Sequence, residues 1–164
     1  TANQKGVILC AYGDVMRVPG EKGSLITARA KGADVRMVYS PMEVIKIAKE
    51  NKEKVVVFFA IGFETTIPMT AGLIESVLKD EIKNVVFYIV HFLVPPVLEA
   101  LLEEKPKIDG FIAPGHVSAI IGEKPYIPIA KKYHKPFVIA GFEGIDVLFA
   151  VHKILLQLKE KKAF

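Results

Sequence analysis

"KVVVFFAIGFETTIPMTAGLIESVLK" (residues 54–79) decides the fold of this chain. Its opening run is continuously apolar, β-branched and aromatic, where a strand with one wet face would alternate. That pattern belongs to a strand covered on both sides. The run halts at Gly62 and gives way to the polar turn Glu64-Thr65-Thr66. Beyond it, Ile67, Ala71, Ile74 and Leu78 recur at three- and four-residue spacing, with Pro68 in the first turn and a threonine placed to cap. This predicts a helix over 66–79 with those four residues as its apolar face.

The same strand, polar end and helix recur along the chain. The other apolar runs are "GVILCAY" (6–12), "DVRMVY" (34–39), "NVVFYIV" (84–90), "GFIA" (110–113) and "FVIAG" (137–141). Helical spacing follows in 41–51, through Val44, Ile45, Ile47 and Ala48, and in 95–104, which opens on Pro95-Pro96 and carries Val97, Leu98, Leu101 and Leu102. In 144–159, Ile145, Leu148, Val151, Leu155 and Leu158 form one stripe. Alternating strands and helices of this length imply right-handed βαβ units. The expected fold is a three-layer, Rossmann-like α/β sandwich with a mainly parallel sheet of about six strands.

The stretch 14–33, polar and rich in glycine, interrupts the alternation, and connections that long are usually functional or mark a junction. We therefore read residues 1–33 as a strand and functional loop belonging to, or joining, a first α/β domain, with 34–164 as an α/β domain.

Composition narrows the function. The net charge of +4 is spread over lysines set beside acids, as in "KENKEK" (49–54). No basic stripe with interleaved aromatics suggests a nucleic-acid partner, and the basic end "KEKKAF" (159–164) reads as a solvated helix terminus. No run is long enough to span a bilayer, and "TANQKG" does not read as a signal peptide. A cytoplasmic location is expected. The single cysteine, Cys10, lies inside an apolar run and reads as a buried, inert thiol. No G-x-G-x-x-G, P-loop, G-x-S-x-G or H-E-x-x-H motif is present.

Parallel sheets bind ligands beyond the carboxyl ends of their strands. Here those ends carry Asp14 with Arg17, then Gly62, Glu64 and Thr65, then His91, then Gly115-His116-Val117-Ser118, then Glu143 and Asp146. The topology is expected to gather Asp14, Glu64, His91, His116 and Glu143 on one rim. Each also has a structural reading: Thr65 or Thr66 as an N-cap, Glu64 at a helix dipole, His91 as a hydrogen-bonded core histidine. His116 stands apart because Pro114-Gly115 forces a sharp turn just before it. Asp14, Glu64 and His116 are the candidate reactive groups. Arg17, Gly62, Thr65, Gly115, Val117, Ser118 and Glu143 are candidate ligand-binding positions, and no metal ligand is assigned. Two histidines with a carboxylate form only a weak iron-site signal, because their spacing is not diagnostic.

Five blocks, taken together, resemble one family in order and spacing: "YGDVMRVPGEKGSL" (12–25), "GADVRMVYSP" (32–41), "GFETTIPMTA" (62–71), "GFIAPGHVSAIIG" (110–122) and "VIAGFEGIDVL" (138–148). They resemble the central part of the hydrogenase-maturation family HypD. The resemblance implies a cytoplasmic scaffold, rather than a turnover enzyme, that helps assemble the iron–dicyano–carbonyl unit of [NiFe] hydrogenase. It further implies a small HypC-type chaperone and a HypE-type cyanide donor as partners, two α/β domains facing a cleft, and a cysteine-rich region with a [4Fe-4S] cluster.

The family's amino-terminal cysteine motifs and its cluster-binding cysteines are absent from this sequence, and Cys10 matches neither. Neither iron nor cluster is therefore expected to be held by this chain alone. Read without the resemblance, the residues also leave open a small α/β lyase or hydrolase using His116 with Glu64 or Asp14, and a protein-interaction module.

Overall fold

A computed structural model of the chain describes residues 2–21 and 23–161. Lys162, Ala163 and Phe164, the end of the basic tail, lie outside the described residues. In chain order the elements are β1 (Val7–Tyr12), a 3-10 turn (Val15–Arg17), α1 (Leu25–Ala30), β2 (Val35–Val38), α2 (Glu43–Glu50), β3 (Val55–Gly62), α3 (Ile67–Lys79) and β4 (Val85–His91). They continue with α4 (Val94–Glu103), β5 (Phe111–Pro114), α5 (Gly115–Ile121), α6 (Tyr126–Tyr133), β6 (Phe137–Ala140) and α7 (Gly144–Glu160). Each of the six apolar runs is a strand, and every pair is parallel.

The strands do not share one sheet. Four form a sheet of order β2-β1-β3-β4, and β5 pairs with β6 in a second, two-stranded sheet. An apolar run reports that a strand's faces are covered and carries no information about which sheet it joins. The chain correspondingly forms two compact units. The first contains the residues up to Gly62 together with Thr66–His91, and the second contains Phe63–Thr65 and the chain from Phe92. The long segment 14–33 belongs to the first unit, whose division from the second falls after His91 rather than at 33/34.

The first unit has three layers. Strand alternation sends Ile8 and Cys10 to one face, where they pack with Val56 and Phe58 under Val44 and Ala48 of α2 and Leu73 and Val77 of α3. Leu9 and Ala11 point to the other face and pack with Val35, Val57, Met16 and Leu25. Segment 14–33 is thus a covering layer: Met16 and α1 roof the β1–β2 half of the sheet. Ser24 starts α1, its Oγ accepting the Thr27 N–H at 3.2 Å. Asn84 ties the unit's base together, its Nδ2 lying 3.0–3.1 Å from the carbonyls of Ala48, Asn51 and Lys54.

Two helical faces differ from the sequence reading. In α3 the buried residues are Thr70, Leu73 and Val77, while Ala71 and Leu78 face outward. The stripe is set one position away because the buried Thr70 serves a hydrogen bond and is invisible to an apolar count. In α7 the residue packed fully is Ala150, with Ile154 partly covered, while Ile145, Leu148, Val151, Leu155 and Leu158 are exposed. This helix is apolar nearly all round, so periodicity alone could not choose which face meets the sheet.

In the second unit, Phe111 and Phe137 stack across β5 and β6 with centroids 4.7 Å apart, and Tyr126 of α6 stacks on Phe137 at 6.1 Å. α7 takes the opposite face, where Ile154 lies close over Gly110. Among the described residues no helix is long and apolar enough to cross a membrane.

Candidate functional site

The rim expected from sequence divides between the two units: Asp14, Arg17, Gly62 and His91 in the first, and Glu64, Thr65, Gly115, His116, Val117, Ser118 and Glu143 in the second. All follow or end a strand, as the parallel topology requires.

In the first unit, Asp14 is spent locally. Its Oδ1 accepts the Val15 N–H at 2.9 Å and starts the 3-10 turn. That turn buries Val15 and Met16 and leaves the Arg17 side chain exposed. His91 closes β4 and is held at both nitrogens. Nε2 lies 3.0 Å from Thr70 Oγ1, and Nδ1 lies 3.5 Å from Thr66 Oγ1. The Thr70 hydroxyl also donates to the Thr66 carbonyl at 3.3 Å. His91 therefore links β4 to α3 as a structural histidine. Gly62 has φ +150°, and a Cβ there would collide with the Thr66 side chain, so only glycine brings β3 into the turn so closely.

In the second unit, Glu64 is 4% exposed and its Oε1 accepts the Val94 N–H at 2.9 Å. Pro95 and Pro96 remove the next two donors of α4, so the Val94 N–H is the one first-turn donor in need of an outside acceptor. Glu64 Oε2 is buried with no hydrogen-bond partner. Such a carboxylate oxygen is an acceptor in waiting. Thr65 is exposed beside it.

At the end of β5, Gly115 enables the turn by close approach. A Cβ would lie 2.5 Å from the Ala140 carbonyl oxygen and 3.1 Å from its carbon, on the neighbouring strand. Val117 and Ser118 turn inward, and the Ser118 hydroxyl donates to the Pro114 carbonyl at 2.8 Å and sits 3.2 Å from the Tyr126 hydroxyl. His116 points to solvent and packs on Phe142, with ring centroids 4.9 Å apart. Glu143 is the exposed N-cap residue of α7 and makes no side-chain cap. Asp146 is drawn back over Gly141, where a Cβ would strike its carboxylate.

Phe142 is the residue that sequence reasoning passed over. It is 70% exposed, and Ile145, Leu148 and Phe149 extend the apolar surface along the first turns of α7. The signal was its place in "GFEGID", two residues after β6 ends. The thiol of Cys10 is wholly buried in β1, and burial pushes its pKa up to about 12, so it stays protonated and unavailable as a ligand. Among the described residues no group of three or more His, Cys, Asp or Glu side chains is placed to hold a metal ion.

These features define an α/β protein of parallel strands whose exposed polar groups lie in glycine-shaped turns at strand ends. The chain belongs to the HypD family: the family model described as the hydrogenase formation hypA family matches residues 1–164. It is 48% identical over 157 residues to the hydrogenase maturation factor HypD of Escherichia coli K12, covering 95% of this chain and 42% of that relative. It is 47% identical over 163 residues to the HypD factor of Rhodobacter capsulatus, covering 99% and 43%. With that of Azotobacter vinelandii the identity is 47% over 169 residues, covering 99% and 45%. The chain thus spans less than half the length of these relatives.

Proposed function

We propose that this chain is the α/β portion of a cytoplasmic hydrogenase-maturation scaffold, and that the strand-end turns of its second unit hold the iron–dicyano–carbonyl unit while it is assembled for [NiFe] hydrogenase. The carrying observation is the Gly115 turn, which presses β5 against the Ala140 carbonyl and sets His116 outward beside Phe142. Cyanide ligands are hydrogen-bond acceptors on an anionic complex. An exposed imidazole supplies a donor, which is the role given to His116. Glu64, already fixed by Val94, orients a donor through its free Oε2.

The iron is cargo here, and iron of this kind wants soft thiolate ligands. Cys10, protonated inside a strand, does not fit that role, so the thiolate comes from the part of the longer protein outside this chain. A [4Fe-4S] cluster needs a set of thiolates that one buried cysteine cannot supply. The exposed apolar surface of Phe142, Ile145, Leu148 and Phe149 supports docking of a HypC-type chaperone, with a HypE-type donor delivering cyanide.

The test is complementation of a hydrogenase-producing strain lacking its own HypD with the full-length protein carrying His116→Ala or Glu64→Gln. Hydrogenase activity and the infrared cyanide bands of the purified protein are both read. Loss of the bands in a folded variant supports the proposal, and unchanged bands and activity in both variants would sink it.

A further inference from the structure

We infer that the unpaired edge of β5 receives a parallel strand from the chain that follows α7 in the longer protein, and that the loop leaving this strand completes the surroundings of His116. This goes beyond the proposed function and stands whether or not the turn holds iron.

α5 and α6 carry the chain from β5 to β6, and Tyr126 packs on the Phe111–Phe137 face of the sheet. α7 packs on the other face: a Cβ on Gly110, whose direction alternates with that of Phe111, would lie 2.8 Å from Ile154 Cγ2. Crossovers between parallel strands of one sheet are right-handed in about 98% of cases. Two successive right-handed crossovers on opposite faces must travel in opposite directions. The first moves from β5 to β6, so α7 brings the chain back over β5, and the next strand lands beyond it.

The first unit completes this same path. α1 covers the Leu9 and Ala11 face between β1 and β2, and α2 covers the Ile8 and Cys10 face. The strand after α2 then pairs with β1 on the side away from β2, through Leu9↔Val57. By this correspondence β5, α5–α6, β6 and α7 repeat β1, α1, β2 and α2, and the counterpart of β3 is the missing strand.

The edge has the chemistry to accept it. The Phe111 N–H donates to the Pro136 carbonyl at 2.9 Å, so Phe111 and Ala113 address β6 in the parallel ladder. The N–H and C=O of Ile112 therefore point to the unpaired side. Ile112 is 43% exposed, an apolar residue on an open edge, which is the condition under which strands recruit a partner. α7 shows the same incompleteness beyond the patch given to the chaperone, with Leu155 59% exposed. This chain accounts for 42–45% of the length of its relatives, so a protein of their length has further chain from which the occupant can come. Connections from a helix to the next strand usually take about 2–6 residues, so the strand is the first apolar run after α7. Being parallel, it ends at the same rim as Pro114, on the side of β5 opposite Phe142. Its exit loop then flanks His116.

The experiment uses the full-length protein. Amide exchange at the Ile112 N–H is read in the unsubstituted protein, and a benzophenone side chain introduced at Ile112 is photo-cross-linked and mapped by mass spectrometry. Expected are exchange slowed at least ~100-fold from the unstructured rate and a cross-link to the first apolar run after α7. Exchange at the unstructured rate overturns the inference. So does a protected amide with the cross-link absent or mapped to a preceding segment, a second copy or another protein, because something else then holds the edge. Neither readout involves iron or hydrogenase activity, so failure here is distinct from failure of the proposed function.

Discussion

Gly115→Ala tests the geometry on which the site rests. The substitution adds one methyl carbon 2.5 Å from the Ala140 carbonyl oxygen, 3.1 Å from its carbon and 3.4 Å from the Gly141 nitrogen. All three are backbone atoms, so no side chain can rotate away. Relief requires β5 and β6 to separate at their carboxyl ends by several tenths of an ångström. Forcing an extra carbon into a closed contact costs about 1–3 kcal/mol, and the absence of a soft neighbour places this case at about 2–3 kcal/mol. The assay is urea unfolding followed by circular dichroism, comparing midpoints at constant slope. Gly144→Ala is the control: it lies two residues past Phe142 at the start of α7, and a Cβ there meets nothing within 4 Å. A shift of less than about 0.5 kcal/mol for Gly115→Ala, the range of a neutral surface change, would refute the closed contact between β5 and β6. His116 should move with the strand end, so its ring-current shift from Phe142 should change in the same variant.

Gly72→Ala should stabilise, since Gly72 lies inside α3 with open space around its Cα, and the expected gain of about 0.5–1 kcal/mol is read from the same urea midpoint. Cys10, with its thiol raised by burial to about 12, should resist Ellman's reagent at pH 8 in the native chain and react fully in denaturant; rapid stoichiometric reaction in the native state would contradict its burial. Asp34 is held below its usual carboxylate range, first by the Arg36 hydrogen bond and then by that of Lys54, at 2.9 and 3.2 Å. A depressed folded-state pKa means its contribution is present above the unfolded value of about 4 and drains away as pH falls through the folded value. Asp34→Asn should therefore be less stable by about 1 kcal/mol at pH 7 and indistinguishable from wild type once pH is below the folded pKa; a constant difference across pH would refute the ion-pair account. Ser118→Ala should lower stability by roughly 1–2 kcal/mol, through the contacts to Pro114 and Tyr126, without changing the exposure of His116 to histidine-modifying reagents.

The elements were legible because burial on both faces leaves continuous apolar runs, and all six strands lie where such runs occur. Sheet membership was illegible, since "NVVFYIV" reads the same whether β5 joins it or begins a new sheet. Helix faces failed where a polar side chain does structural work or where apolar residues exceed one face. Thr70 shows the first case, buried beneath His91. α7 shows the second, with its Ile145-to-Leu158 stripe turned outward.

The strand-end motifs mix two kinds of residue that sequence cannot separate. Glu64, Thr70 and Ser118 are the buried polar side chains among the described residues, and each has a hydrogen-bond partner that holds a strand end to a helix. Arg17, His116 and Glu143, drawn from the same short motifs, are exposed. A buried polar group without partners is destabilising, so the first set must be satisfied for the turns to form at all. The exposed set has no such requirement and is free to answer to a ligand. Glu64 belongs to both sets: Oε1 is committed to Val94, while Oε2 is buried and unpartnered. Folding alone explains one oxygen of that carboxylate. On the proposed function, the other is the atom through which Glu64 would orient a donor to the bound unit.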